Sequence, residues 1–157
     1  MSAAATLDIL VENSGRVNFT SVIRGERKGI TGSVTIDGHA PQHWQIYSLP
    51  MTDLARLRFN SGRCEGPCFY RFTVTTPGSG PLPDTFIETH SLSKGVAFLN
   101  GRPLGRFWSV GPQFSLYTPG PWLKPGQNEV IVFDLQGKSG EALTTIDHHD
   151  YGASASH

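Results

Sequence analysis

The side chains able to do acid–base, metal or nucleophilic chemistry are few here and widely spaced. Glu12, Glu26, Glu65, Glu88, Glu129 and Glu141 are dispersed among segments that read as strands and turns, and none falls in a catalytic motif. His39 and His43 are four apart, but Pro41 between them breaks any helix that would aim both at one metal. They read as solvated loop histidines. His148-His149-Asp150, with His157, offers donors to a transition metal, in what reads as a flexible tail. Cys64 and Cys68 enclose the turn-forming Glu65-Gly66-Pro67, as two thiols or as a local disulfide of small stabilising effect. Zinc would need two further ligands, and none stands at ribbon or finger spacing. There is no Gly-x-Ser-x-Gly elbow, no Gly-x4-Gly-Lys phosphate loop and no dinucleotide fingerprint. Asn18-Phe19-Thr20 satisfies the N-glycosylation sequon.

Composition narrows the classes further. Thirteen basic residues balance thirteen acidic ones, and basic residues do not cluster with aromatics, so no electrostatic footprint for nucleic acid or an anionic membrane is present. Hydrophobic residues make up 38% and charged residues 17%, a folded and water-compatible balance. No apolar run approaches the roughly 20 residues that span a bilayer. The opening Met1-Ser-Ala-Ala-Ala-Thr lacks the basic region and apolar core of a signal peptide, which suggests an intracellular chain or one whose signal has been removed.

Those side chains must be positioned by short elements, because eighteen glycines and eleven prolines leave little room for helices. Runs rich in β-branched and aromatic residues recur at Leu7 to Glu12, Gly32 to Ile36, Trp44 to Leu49 and Cys68 to Thr75. Four more follow at Asp84 to Glu88, Gly95 to Leu99, Gln113 to Thr118 and Glu129 to Leu135. About eight strands at even spacing predict an all-β sandwich or barrel. Asp37-Gly38 and Asn100-Gly101 are tight-turn signals, and Pro125-Gly126-Gln127-Asn128 launches the last strand. Thr52 to Phe59 and Trp122 to Lys124 have room for a helical turn each. From Gly137 the apolar pattern fades, so one domain is expected over 7–136. Residues 1–6 read as disordered or vector-derived, and 137–157 as a partly disordered extension.

Two stretches carry something more specific. The first runs Leu7-Asp-Ile-Leu-Val-Glu-Asn-Ser-Gly-Arg-Val-Asn-Phe19, through Lys28-Gly29-Ile30 to Trp44-Gln-Ile-Tyr-Ser-Leu49-Pro50. The second runs Asp84-Thr-Phe-Ile87, Lys94-Gly95 and Phe98-Leu-Asn-Gly-Arg-Pro-Leu-Gly-Arg-Phe-Trp108. It continues Gly111-Pro112-Gln113, Leu116-Tyr117, Pro119-Gly-Pro-Trp122 and Gly126-Gln-Asn-Glu-Val-Ile-Val-Phe133. Together they resemble the C-terminal galactose-binding-like jelly-roll domain of family-35 glycoside hydrolases, the β-galactosidases, over residues 7 to 136. The resemblance implies an antiparallel jelly-roll sandwich with no catalytic function of its own. In that family two glutamates on a separate (β/α)8 barrel do the hydrolysis, and a retaining pair must stand about 5–5.5 Å apart. One departure is His90-Ser91-Leu92-Ser93, where the family has a tryptophan in a Gly-Trp-x-Lys-Gly run.

If the resemblance extends to function, the ligand is a galactose-containing glycan. Sugar recognition needs an aromatic face for the apolar side of the ring and planar polar groups for its hydroxyls. Trp44, Trp108 and Trp122 are the stacking candidates, against a plainer role in core packing for the first two. Arg106, Trp108 and Gln113 form the first cluster to test; the plainer reading has Arg106 and Gln113 satisfying turn carbonyls. Arg16, Asn18 and Arg102 flank the same motifs. No cofactor is implied, and although this superfamily often carries a structural calcium, no Asp-rich loop announces one. The rival expectation is an assembly domain that binds no sugar and packs on its own copy or on a glycoside hydrolase catalytic chain. The resemblance suggests a secreted, periplasmic or lysosomal setting.

Overall fold

The computed structural model describes residues 6–13, 15, 17–60, 64–137 and 142–152. They fall into two compact units, Met1–Pro50 and Met51–His157.

The second unit holds every named strand: β1 Cys68–Thr76, β2 Thr85–Glu88, β3 Lys94–Leu99, β4 Arg102–Trp108, β5 Ser115–Thr118, β6 Gly126–Asp134 and β7 Thr145–Ile146. They form two antiparallel sheets, ordered β1-β6-β3-β4 and β5-β2-β7. One core joins them, with Val74, Ala97, Leu99, Phe107, Val130 and Val132 from the larger sheet and Ile87 and Leu116 from the smaller. The all-β sandwich is therefore present, with 3-10 turns as its only helical pieces among the described residues. These include Leu54–Arg56 and Gly120–Trp122, close to the two places where a helical turn was expected.

Local chemistry explains the ladders. Asn100 and Gly101 take φ 49° and 80°, so β3 returns as β4 through the tight turn this dipeptide favours. Asn100 also donates from Nδ2 to the Asn128 side chain (2.9 Å) and to the Trp122 carbonyl (3.0 Å). Asn128, fully buried, in turn accepts from the Lys124 N–H and donates to the Lys124 carbonyl, closing the turn before β6. Gly95 has no substitute on space grounds. A Cβ there would lie 1.8 Å from the Phe133 carbonyl oxygen, so β3 and β6 approach this closely only over glycine. Leu92, at the position of the family's tryptophan, is wholly buried in the core.

Two strand expectations fail. Leu7 to Glu12, Gly32 to Ile36 and Trp44 to Leu49 form no strands; among the described residues of that unit the β-pairing is the single bridge Ile36–His39. Its Asp37-Gly38 turn is present, with φ 50° and 80°. β4 went unlisted because Arg102, Pro103 and Gly105 interrupt its apolar alternation. A register shift between Ala97 and Phe98 absorbs the irregularity, with Gly105 at φ 141°. The segment after Gly137 is ordered in part. β7 pairs with Phe86 and Ile87, Leu143 packs on the core, and the Phe114 N–H donates to the Asp150 carbonyl. Residues 153–157, with His157, and residues 1–5 lie outside the described residues.

Candidate functional site

Arg106 and Trp108 are brought together. β4 is the outer strand of the larger sheet, Phe107 points into the core, and its neighbours on either side stand on the outward face. Trp108 is 50% exposed rather than packed inside. Across the ladder its partner is Lys94, whose Nζ lies 4.7 Å from the indole centroid, a cation–π contact that fixes the ring. Lys94 is itself held by what precedes it. The Ser93 N–H and hydroxyl both donate to the buried Asp134 carboxylate, the first at 2.8 Å, and the Ser93 carbonyl accepts from the Ser109 N–H at 2.6 Å. Asp134, buried, also accepts from the Gln136 N–H, so both of its oxygens are hydrogen-bonded. No spacing pattern reveals this support, because Ser93 and Asp134 are 41 residues apart.

The other candidates go elsewhere. Gln113 donates from Nε2 to the Ser115 carbonyl (2.9 Å), so its amide serves the adjoining turn. Trp122 is partly buried against the core, with the Arg102 guanidinium 5.4 Å from its ring centroid. Trp44 lies in the other unit and is 51% exposed beside Gln45, which accepts from the Tyr47 hydroxyl (2.8 Å). Asn18 is exposed, and Arg16 falls outside the described residues. Cys64 and Cys68 are joined as a disulfide, with Cα atoms 6.3 Å apart.

Three of the sequence motifs meet at Asp84. Its carboxylate accepts the Tyr117 hydroxyl (2.5 Å) and the Gly120 N–H (2.8 Å). Gly120 is required because a Cβ would lie 2.0 Å from the Leu82 carbonyl oxygen. The Tyr117 hydroxyl, then the Gly120 N–H, hold the Asp84 carboxyl below the usual carboxylate range; Asp84 pushes the Tyr117 phenol up in return. This constellation ties β2 to β5 and to the following turn, and is structural.

Two pairings were missed at the far side of the smaller sheet. Ser115 Oγ lies 2.7 Å from His149 Nδ1, an arrangement superficially like a nucleophile and its base. Ser115 is completely buried and its Oγ already accepts the Asp150 N–H, so the pair anchors the chain end rather than attacking anything. Beside it, His90 Nε2 lies 2.6 Å from Asp150 Oδ2 and 4.0 Å from Glu88 Oε1. The Gly152 N–H, then His90, keep the Asp150 carboxyl low. No spacing rule finds this group, since 60 residues separate His90 from Asp150.

The second unit is thus an all-β sandwich with an outward tryptophan–lysine pair on its edge strand β4. Residues 67–128 match the family model for the β-galactosidase galactose-binding domain, and residues 1–50 match that for the β-galactosidase first all-beta domain. Human "Beta-galactosidase-1-like protein 3" is 47% identical over 149 residues, covering 90% of this chain and 22% of that protein. "Beta-galactosidase 8" of rice is 35% identical over 173 residues (89% and 26%), and the "Beta-galactosidase" of Xanthomonas manihotis 39% over 113 (71% and 18%). The chain is thus related to the β-galactosidases through two of their all-β domains, and spans about a fifth of the length of the curated relatives it matches. The boundary between the two family models agrees with the division at Pro50.

Proposed function

We propose that this chain is a non-catalytic carbohydrate-binding module that recognises β-galactosides on the outward face of β4. The observation that carries the reading is the exposed Trp108 beside Arg106, inside the segment that matches a galactose-binding domain. The indole offers a flat apolar face to the sugar ring, and Lys94 across the ladder holds it in place. Arg106, two residues away on the same face, supplies planar donors for hydroxyls. Gln113 donates to an adjoining turn carbonyl and Trp122 packs against the core, so the proposal rests on Trp108 and Arg106. Hydrolysis is not expected of this chain, because both matched segments are all-β domains and its glutamates are dispersed.

The test is intrinsic fluorescence of the purified chain titrated with galactose and lactose. A saturable change that is lost in a still-folded Trp108→Ala variant supports the reading. A flat response to both sugars through the millimolar range overturns it.

One observation favours a second reading, that of an assembly domain. Residues 6–50 expose Leu7, Phe19, Val22, Ile46, Tyr47 and Leu49, each by more than half, and exposed apolar surface of this kind is what protein interfaces bury. On that reading the chain self-associates or binds a glycoside hydrolase catalytic chain. A concentration-independent monomer in sedimentation, unchanged when such a chain is added, counts against it.

A further inference from the structure

We infer that Glu88, His90 and Asp150 form a binding site for a divalent transition cation of the zinc class, which clamps residues 142–152 onto the sandwich. Three donor atoms from two stretches of chain converge there: Glu88 Oε1 from the end of β2 and His90 Nε2 from the turn that follows it, with Asp150 Oδ2 from the segment after β7. All lie within 4.8 Å of one another.

Each donor is aimed by groups that would stand behind the ligands. Glu88 uses its other oxygen, Oε2, to accept the Thr144 hydroxyl (2.6 Å), and Asp150 uses Oδ1 to accept the Gly152 N–H (2.7 Å). Each carboxylate is thus left with one oxygen facing the imidazole. The His90 ring stacks on Phe114, with centroids 4.6 Å apart and planes 12° from parallel, which fixes where Nε2 points. Phe114 in turn needs glycine on two sides. A Cβ on Gly111 or Gly152 would lie 2.6 or 2.7 Å from its ring. Such outer-sphere fixing is what a metal site requires of its ligands.

The spacing suits a small cation after modest movement. Tetrahedral bonds of about 2.0–2.2 Å place donors roughly 3.3–3.6 Å apart. The His90–Asp150 contact of 2.6 Å must open, and the His90–Glu88 contact of 4.0 Å close, each by less than the length of one bond. Side-chain exposures of 49% for His90 and 36% for Glu88 leave room for water at the remaining positions. One imidazole nitrogen with two carboxylates selects zinc over calcium, which takes oxygen ligands alone. The site is distinct from the face of β4 and does not depend on sugar binding.

The probe is Zn2+ alone, titrated calorimetrically into the full chain, with Ca2+ as comparison and circular dichroism on every variant. One zinc per chain is expected, with affinity weakened by more than about tenfold in Glu88→Gln and in Asp150→Asn. The doubly substituted His148→Ala, His157→Ala chain should bind as the parent does. His90→Gln serves as a further ligand variant should either carboxamide fail to fold. Absence of zinc binding, equal affinity for Ca2+, or binding that survives Glu88→Gln but is lost with His148 and His157 would overturn the site; the last outcome assigns the metal to the histidine-rich end.

Discussion

Ile87 and Ile46 are the same side chain in opposite situations, 1% exposed in the second unit and 92% exposed in the first. Both occur in runs that read as strands. Ile87 lies in β2 with β5 on one side and β7 on the other, so its alternation has a sheet to sit in and a core to face. Ile46 has no ladder, and its neighbours Trp44, Tyr47 and Leu49 are exposed with it. The comparison shows that strand propensity in this chain is a property of paired neighbours, not of the run alone. It also separates two kinds of motif: those whose physical reason is visible inside the sandwich, and those whose apolar residues stand exposed in the first unit.

The largest expected effect comes from a single methyl group. Gly95→Ala should cost more than about 4 kcal/mol or abolish cooperative unfolding, because the Cβ meets the Phe133 backbone where the two inner strands, β3 and β6, pair. Gly25→Ala in the first unit, where a Cβ meets nothing within 4 Å, should stay within about 0.5 kcal/mol by urea denaturation. A Gly95→Ala protein as stable as the parent would refute the close approach of β3 and β6.

Next comes the pair that opened the comparison. Ile87→Ala should destabilise by about 2–5 kcal/mol through lost burial and the cavity left behind. Ile46→Ala should change the midpoint negligibly. Equal losses at the two positions would mean that the first unit has a core of its own around Ile46.

A smaller effect sharpens the account of Asp84. Its folded pKa is depressed by the Tyr117 hydroxyl and the Gly120 N–H. The stabilisation is therefore present above the unfolded carboxylate value of about 3.9 and is lost as pH falls through the lower folded value. Thermal melts of Asp84→Asn should lie below those of the parent at neutral pH and converge with them in acid. Parallel curves down to the acid limit would show that the carboxylate charge does nothing there.

How much of this was legible in the sequence follows from the range of each interaction. Asn100-Gly101, Asp37-Gly38 and Gly126 announced their turns because positive φ is a local demand that few residues meet. β1, β2, β3, β5 and β6 were readable from apolar alternation. β4 was not, because Gly105 and Pro103 break the pattern at an edge where the ladder tolerates it. β7 was too short to read and owes its place to Phe86 and Ile87. For the site, Arg106 and Trp108 stood two apart on one strand and could be paired on paper. Asp134 behind Ser93, and Asp150 beside His90, could not, since only the sandwich brings those segments together.

The galactoside site proposed for the outward face of β4 can be followed through the three tryptophans. Each gives one indole N–H signal in a nitrogen-15 correlation spectrum, assigned by single substitution. On addition of lactose, the Trp108 signal should move progressively to saturation while those of Trp44 and Trp122 stay in place. A spectrum in which no indole moves, or in which Trp44 or Trp122 moves and Trp108 does not, would contradict the assignment of the galactoside site to β4.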